Sequence, residues 1–225
     1  MDSKIPFTSY DFWAYLSAGF LLLFVGDYVI GAHMFSRTSW TLVQGVVAVS
    51  AAYAVGQLVA SASAWMFERG LVGRWLGYPR NVLFGNARAS RWLRRALPGY
   101  FHALPDETRR AALARARAAG IDDAGEALFW AAYGHARSSP VVMGRLDNFL
   151  NLYGFCRNTA LVAFLDAGLL VAHYQWGGGS SKDVYFAGVA IVAGAGLLLR
   201  YLKFFRHFAV ELFTAYAVAD GSAPR

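Results

Sequence analysis

The chain has 225 residues, 57% of them hydrophobic and 16% aromatic, with mean hydropathy +0.36 and a formal net charge of +7. Soluble domains average about 45–50% apolar residues, so this composition excludes an ordinary soluble domain, and the length leaves room for one domain or two small ones. One cysteine, Cys156, excludes an internal disulfide and suits a reducing compartment, and no Cys/His group has zinc-site spacing.

The apolar excess falls in four blocks. Residues 12–34 contain Asp27 as their only charge, residues 41–67 contain none, residues 159–176 contain only Asp166, and residues 184–199 contain none. A helix needs about 20 apolar residues to cross a bilayer core of about 30 Å. The first three blocks meet that range, and the fourth reaches it through Tyr201 and Leu202 while Lys203 snorkels to the interface. Buried core helices of a large globular protein are the alternative, and so little charge over four such lengths argues against it. The first block lacks a basic leader and a small-x-small cleavage site, so it is expected to stay as a spanning helix.

Orientation follows from Lys and Arg. The loops 35–40 and 177–183 hold one basic residue each, Arg37 and Lys182, whereas 68–158 holds 14, all arginine, and 200–225 adds four. Both termini and the central stretch are therefore expected on the cytoplasmic side of the membrane. In the second block Ala48, Ala52, Gly56, Ala60 and Ala64 recur every fourth residue. Small residues at that spacing make a flat stripe for close helix packing, or reflect an alanine-rich chain.

Ionisable groups at membrane depth face a bundle interior or a wet cavity. At about 1.5 Å per residue, Asp27 and His173 lie at similar levels in the outer half and are candidates to pair within or between subunits. Asp166 and Gln57 fall in the inner half. Carboxylates around a shared axis select cations, so Asp27, Gln57, Asp166 and His173 are pore candidates; hydrogen bonds to neighbouring helices are the plainer alternative.

In the central stretch, 87–98 reads as a short amphipathic helix, with Trp92, Leu93, Ala96 and Leu97 on one side and Arg88, Arg91, Arg94 and Arg95 on the other. A second helix opens at Asp106-Glu107 and stops at Gly120; Arg109, Arg110, Arg115 and Arg117 lie along it. A third covers 124–136, with Phe129, Trp130 and Tyr133. Ser139-Pro140 then starts a helix expected to run straight into the third apolar block, joining the central domain mechanically to the membrane part. The eight arginines from Arg88 to Arg117 fit phosphates of a nucleotide or nucleic acid, with Trp92, Tyr100, Phe101 and His102 available to stack on bases. They equally fit anionic lipid headgroups, or a solvated face that only enforces topology.

No G-x-S-x-G, H-E-x-x-H, P-loop or dinucleotide fingerprint occurs, so neither a cofactor nor catalysis is expected. The Gly177-Gly178-Gly179 run is a flexible outer turn, and Cys156 reads as a buried structural thiol. Two faces are coherent: Arg145, Phe149, Tyr153 and Arg157 lie four apart on one helix, and Arg200, Lys203, His207 and Glu211 form a similar stripe on another. If the helices emerge side by side, Glu211 pairs with an arginine of the first stripe.

Three segments, 9–19 (SYDFWAYLSAG), 145–158 (RLDNFLNLYGFCRN) and 200–216 (RYLKFFRHFAVELFTAY), together resemble motifs of small four-span bacterial membrane proteins of anti-phage defence. The match covers well under half of the chain and leaves out 88–137; the first segment has Ala18 where relatives often carry proline. In layout the chain most resembles the ion-channel component of the Hailong defence system. That resemblance implies a homo-oligomer, with a tetramer favoured, whose cytoplasmic crown binds short single-stranded deoxyadenylate oligomers made by a partner nucleotidyltransferase. Bound DNA would hold the channel shut.

The fold expected is therefore all-α: an integral membrane protein with four transmembrane helices and a helical cytoplasmic domain inserted between helices 2 and 3. Residues 1–68 would hold the first two spans and 69–140 the arginine-rich domain. Residues 141–225 would hold a linker helix, the last two spans and a cytoplasmic tail. The function expected is a ligand-gated ion channel. A non-conducting adaptor that recruits a cytoplasmic partner or anionic lipid is the alternative. A lipid-modifying enzyme drawing on Asp147, Asn148, Asn151, His207 and Glu211 matches no recognisable mechanism.

Overall fold

The computed structural model describes residues 11–86, 89–122 and 124–218, and among them every regular element is helical. A π-helical segment, Asp11–Leu16, leads into α1 (Ser17–Ile30), and α2 (Leu42–Ser63) continues as a second π-helical segment, Ala64–Leu76. Then come α3 (Pro79–Val82), α4 (Arg91–Ala96), α5 (Pro98–Phe101), α6 (Asp106–Ala118), α7 (Glu126–Ala136), α8 (Pro140–Trp176) and α9 (Ser181–Val218). Three helical runs, Leu42–Val82, Pro140–Trp176 and Ser181–Val218, are long and apolar enough to cross a membrane, and Ala14–Ile30 is a shorter apolar helix. The chain divides into two compact units: Met1–Phe67 with Asn151–Tyr201, and Glu68–Leu150 with Leu202–Arg225.

In the first unit the every-fourth-residue stripe is the packing face of α2. Ala52, Gly56 and Ala60 are buried on it. A methyl group on Gly19 of α1 would collide with the Ala52 carbonyl, and one on Gly56 with the Tyr15 carbonyl. The two backbones touch because glycine carries no side chain there, which is how helices associate where lipid supplies no hydrophobic drive. α1 ends at Gly31, whose φ of 71° is open to glycine at no steric cost, and α2 starts in a capping box between Thr41 and Gln44. The apolar window of α8 is 56% buried against 17% for the other two long runs, so α8 is the inner helix.

Beyond Ser63 the chain widens into π winding, where the buried Phe67, Val72 and Leu76 follow one another at five and four residues. That spacing matches turns closed by i→i+5 hydrogen bonds, and the last such bond is Gly77 N to Val72 O at 2.7 Å. Nothing in the composition of 64–76 distinguishes it from an α-helical continuation of the second block.

The second unit is built on an apolar core that includes Leu83, Phe84, Leu128, Leu146, Leu212 and Phe213. The C-terminal part of α9 thus belongs to this core, although the sequence boundaries leave it with the spans and tail. Gly120, with φ 74°, stops α6 as expected, and Ser139 Oγ accepts from Val142 N at 3.4 Å at the start of α8. α8 runs unbroken from Pro140 to Trp176 despite Gly144 and Gly154. The helix expected over 87–98 is shorter, Arg91–Ala96, because Leu97 precedes Pro98 and is pushed out of the helical region to φ −127°, ψ 55°. Of its apolar residues only Leu93 is buried in the helix; Trp92 is 64% exposed, on the solvent side and not on the core face.

Replacing Gly19 or Gly56 by alanine is expected to destabilise the full-length protein by roughly 1–3 kcal/mol in a detergent unfolding titration. Gly26→Ala, which meets open space, should leave the midpoint near wild type. Equal midpoints for all three variants would contradict the close helix approach.

Candidate ligand site

A polar hollow in the second unit, a cavity of about 800 Å3, is lined by Arg74, Trp75, Tyr78, Arg80, Asn81, Asn86 and Glu126. The end of the π-helical segment supplies Arg74 and Trp75; the turn at Gly77, with φ 83°, redirects the chain so that α3 can supply Arg80 and Asn81. Pro79 occupies the first helical position of α3, where its missing N–H costs nothing. The turn is pinned from inside: the buried Tyr100 hydroxyl donates to the Gly77 carbonyl at 2.8 Å, and Leu104 N donates to the Leu83 carbonyl at 3.0 Å. Burial, with a smaller effect of Tyr78, raises the Tyr100 phenol above its ordinary range, so it stays a neutral donor.

Arg80 is held in place on three sides. Its Nη2 lies 3.2 Å from Glu126 Oε2, and its guanidinium carbon sits 4.8 Å from the Tyr78 ring centre and 6.0 Å from that of Phe129. Glu126 Oε1 also accepts from Trp130 Nε1 at 3.3 Å. Arg74 and Trp75 are exposed at the rim. Two guanidinium groups, two side-chain amides and an indole face around one hollow suit a ligand that carries negative charge and a flat ring.

Among the described residues, the arginines singled out from the sequence do not line this cavity. Arg91, Arg94 and Arg95 stand exposed with Trp92 on α4, and Arg117 is exposed on α6. Arg109 pairs with Asp106 at 2.9 Å, and Arg110 Nε donates to the Asp106 carbonyl at 3.3 Å. Arg115 donates to the Tyr216 carbonyl at 3.3 Å and stacks over that ring at 4.8 Å. Arg88 lies outside the described residues. Arg74 and Arg80 escaped notice because they lie before the dense basic cluster; the signal was an arginine-aromatic alternation around a turn, Arg74-Trp75 and Gly77-Tyr78-Pro79-Arg80.

The two stripes on α8 and α9 meet as anticipated at one point: Arg145 Nη1 lies 3.2 Å from Glu211 Oε1, with the rings of Phe149 and His207 at 6.0 Å nearby. His207 Nδ1 is 2.8 Å from the Lys203 carbonyl, so His207 and Glu211 are both engaged; Asp147 and Asn148 are exposed, and Asn151 is half-buried. Lys203 and Arg200 are exposed, and the Tyr153 ring is tilted against that of Tyr201 with the centres 6.3 Å apart.

Arg157 has a different setting from the rest of its stripe. It is buried in the first unit, where Nε donates to Ser63 Oγ and to Asn158 Oδ1, each at 3.1 Å, and Nη2 reaches the Ala60 carbonyl at 3.5 Å. The Ser63 hydroxyl lies 2.6 Å from Asn158 Oδ1, and Asn158 Nδ2 donates to the Ala14 carbonyl at 2.7 Å. Cys156, beside it in sequence, is a free, buried thiol.

The membrane-level polar residues are scattered and not gathered. Asp27 and His173 do not pair with each other in the chain. Asp27 accepts from Met34 N at 2.9 Å and Phe35 N at 3.1 Å, ordering the α1–α2 connection. His173 Nδ1 instead lies 3.0 Å from Asp183 Oδ2, and Asp183 also accepts from Ser180 N at 3.0 Å and from the Tyr28 hydroxyl at 2.8 Å. Asp183, which the sequence leaves unremarked in a turn, thereby ties the ends of α1, α8 and α9. Asp166 is 7% exposed within a single chain, so it does not present itself to an axis between copies, and its Oδ1 has no hydrogen-bond partner among the described residues. Gln57 is half-buried on α2. No group of three His, Cys, Asp or Glu that could hold a metal ion occurs among the described residues. Comparison of this chain with protein-family models, with curated proteins and with solved structures gave no match.

Near Arg115, the His135 ring stands edge-on to Tyr216 at 6.0 Å. Burial, and then the Arg115 charge, lower its pKa below the ordinary value of about 6.5. The unfolded chain therefore takes up this proton more readily than the folded one. The stability involved is fully present above about pH 6.5 and is lost as pH falls through the folded value. The thermal midpoint of the purified protein should drop between pH 7.5 and 5.5, and His135→Gln should flatten that drop; an unchanged pH profile in the variant would contradict this.

Proposed function

We propose that this chain is a four-span membrane effector, with α1 as the fourth span, that assembles as a homo-oligomer and conducts ions under control of an anionic ligand. Both termini and the arginine-rich unit lie in the cytoplasm of a bacterium in this reading, as the arginine distribution argues. The ligand is a nucleotide or short single-stranded DNA; the Hailong-like resemblance points to a deoxyadenylate oligomer made by a partner nucleotidyltransferase, four copies of the chain and a closed state with ligand bound. The observation that carries the reading is the basic, aromatic cavity around Arg74 and Arg80, in a unit whose core contains parts of the helices α8 and α9. Both helices run unbroken into apolar stretches of membrane-crossing length, so a ligand that reshapes that unit can bias the spans.

Conduction then falls to an axis between copies. With Asp27, Asp166 and His173 engaged or buried within the chain, α2 still carries Ser50, Gln57 and Ser61, exposed or half-buried and spaced seven and four apart. That spacing puts them on one helix face, away from the buried Ala52-Gly56-Ala60 stripe. The exposed patch of Arg91, Trp92, Arg94 and Arg95 on α4 favours the second reading, a non-conducting adaptor holding anionic lipid or a partner.

Two measurements test the proposal. With Cys156 replaced by serine, a water-borne thiol reagent should modify Gln57→Cys and Ser61→Cys in vesicles and lower ion flux, while Leu58→Cys, 72% exposed and about 100° around the helix from Gln57, should stay unmodified. Indistinguishable modification of the three would remove α2 from the pore. Arg74→Glu, alone or with Arg80→Glu, should weaken binding of a labelled short oligodeoxyadenylate at least about tenfold, as the loss of a charge-assisted contact requires. Unchanged binding, or the same loss with the exposed Arg137→Glu, would dismiss the cavity as the site.

A further inference from the structure

A second hollow lies in the first unit, at the end of α1 and α2 where the connection 31–41 folds back. It encloses about 260 Å3 and is walled by Leu23, Val43, Val47 and Ala51, with Arg37 and Trp40 on the connection. Its walls are apolar, and a space of that lining does not hold water stably. Its volume falls below the roughly 300–1,000 Å3 of a site that swallows a whole small molecule, so its occupant enters only in part.

The cleft is built, not a passing gap. Asp27 accepts from the backbone N–H groups of Met34 and Phe35, which fixes the first half of the connection. Phe35 then packs against Phe24 at 5.9 Å, Phe20 at 6.4 Å and Trp40 at 5.8 Å. The Thr41–Gln44 capping box fixes the second half. Arg37 is exposed at the edge of this frame and forms no ion pair among the described residues. It is also the one Lys or Arg between Lys4 and Arg69, so nothing else in the two helices supplies positive charge there.

We propose that this cleft binds one acyl chain of an anionic phospholipid, with the Arg37 guanidinium on the phosphate and the Trp40 indole at the headgroup level. The pieces match that molecule: an apolar slot too small for a whole ligand, an unpaired cation at its mouth, and an aromatic ring of the kind that settles at a membrane interface. Asp27, costly at membrane depth, has its explanation here as the group that shapes the slot's wall. With the termini cytoplasmic, the orientation on which the proposed function rests, this cleft opens to the outer leaflet; the lipid chemistry does not depend on that orientation.

The test uses the purified full-length protein, stripped of lipid and titrated with phosphatidylglycerol or phosphatidylcholine, with retained lipid read by native mass spectrometry. Wild type should hold phosphatidylglycerol more tightly than phosphatidylcholine. Arg37→Gln should cut phosphatidylglycerol retention about tenfold and leave phosphatidylcholine unchanged, since it removes a charge-assisted contact only. Val47→Trp, which fills the slot from an exposed position, should lower retention of both lipids while oligomer mass and helix content stay at wild type. Equal retention of the two lipids by wild type and both variants overturns the proposal. So does a change of oligomer mass with Val47→Trp, which would give the cleft to a neighbouring copy. No readout involves conduction or the cytoplasmic ligand, so a non-conducting protein leaves this proposal standing, and a conducting one does not rescue it.

Discussion

A buried arginine sets the constraint that the first unit is arranged around. Moving a guanidinium out of water is expensive, and the cost is met only when its N–H groups find well-placed acceptors. Arg157 finds them in the Ser63 hydroxyl, the Asn158 carbonyl oxygen and the Ala60 carbonyl, and Asn158 extends the set to the Ala14 carbonyl just before α1. Three segments distant in sequence are thereby fixed in register at one level. If Asn158 were lost, Arg157 Nε, the Ser63 hydroxyl and the Ala14 carbonyl would each lose one hydrogen bond, and a bond of this kind to a charged group is worth about 1.5–3 kcal/mol. Close helix packing then extends the register along α2, where Gly19 and Gly56 let backbones touch.

The same level is where α2 changes winding. Ser63 is the last α-helical residue, and the wider π turns begin at Ala64. With more residues per turn, the side chains that follow are rotated relative to an α-helical continuation, and the buried series passes through Phe67, Val72 and Leu76. This delivers Arg74 and Trp75 to the rim of the cavity in the second unit. π segments concentrate at functional sites because they are locally unfavourable and persist only where the surroundings hold them.

Much of the architecture was legible in the residues. Blocks with at most one charge mark the long apolar helices, the small-residue stripe marks the packing face of α2, Ser139-Pro140 marks the start of α8, and the four-residue spacing foretells the Arg145–Glu211 pair. These succeed because they depend on local period, on caps or on a single helix face. Other features depend on tertiary partners and left no such trace. Asp183 is only the last residue of the loop 177–183 in the sequence, yet its second oxygen pairs with His173 and its first with Tyr28, from helices far apart in sequence. Asp27 and Asp166 look alike as lone carboxylates in apolar blocks, but one orders a connection and the other is buried in packing. Arginine is densest over 88–117, yet the cavity is lined by Arg74 and Arg80; a cavity needs concavity, and density along the chain does not supply it.

In the proposed function a cytoplasmic anionic ligand controls a membrane pathway through α8 and α9. The most direct measurement is ion leak from liposomes carrying the purified protein, with and without a short oligodeoxyadenylate on the side of the arginine-rich unit. The account predicts a leak that the oligomer suppresses in wild type and fails to suppress when Arg74 is charge-reversed. Vesicles that stay tight in every condition, or a leak indifferent to the oligomer, would contradict it.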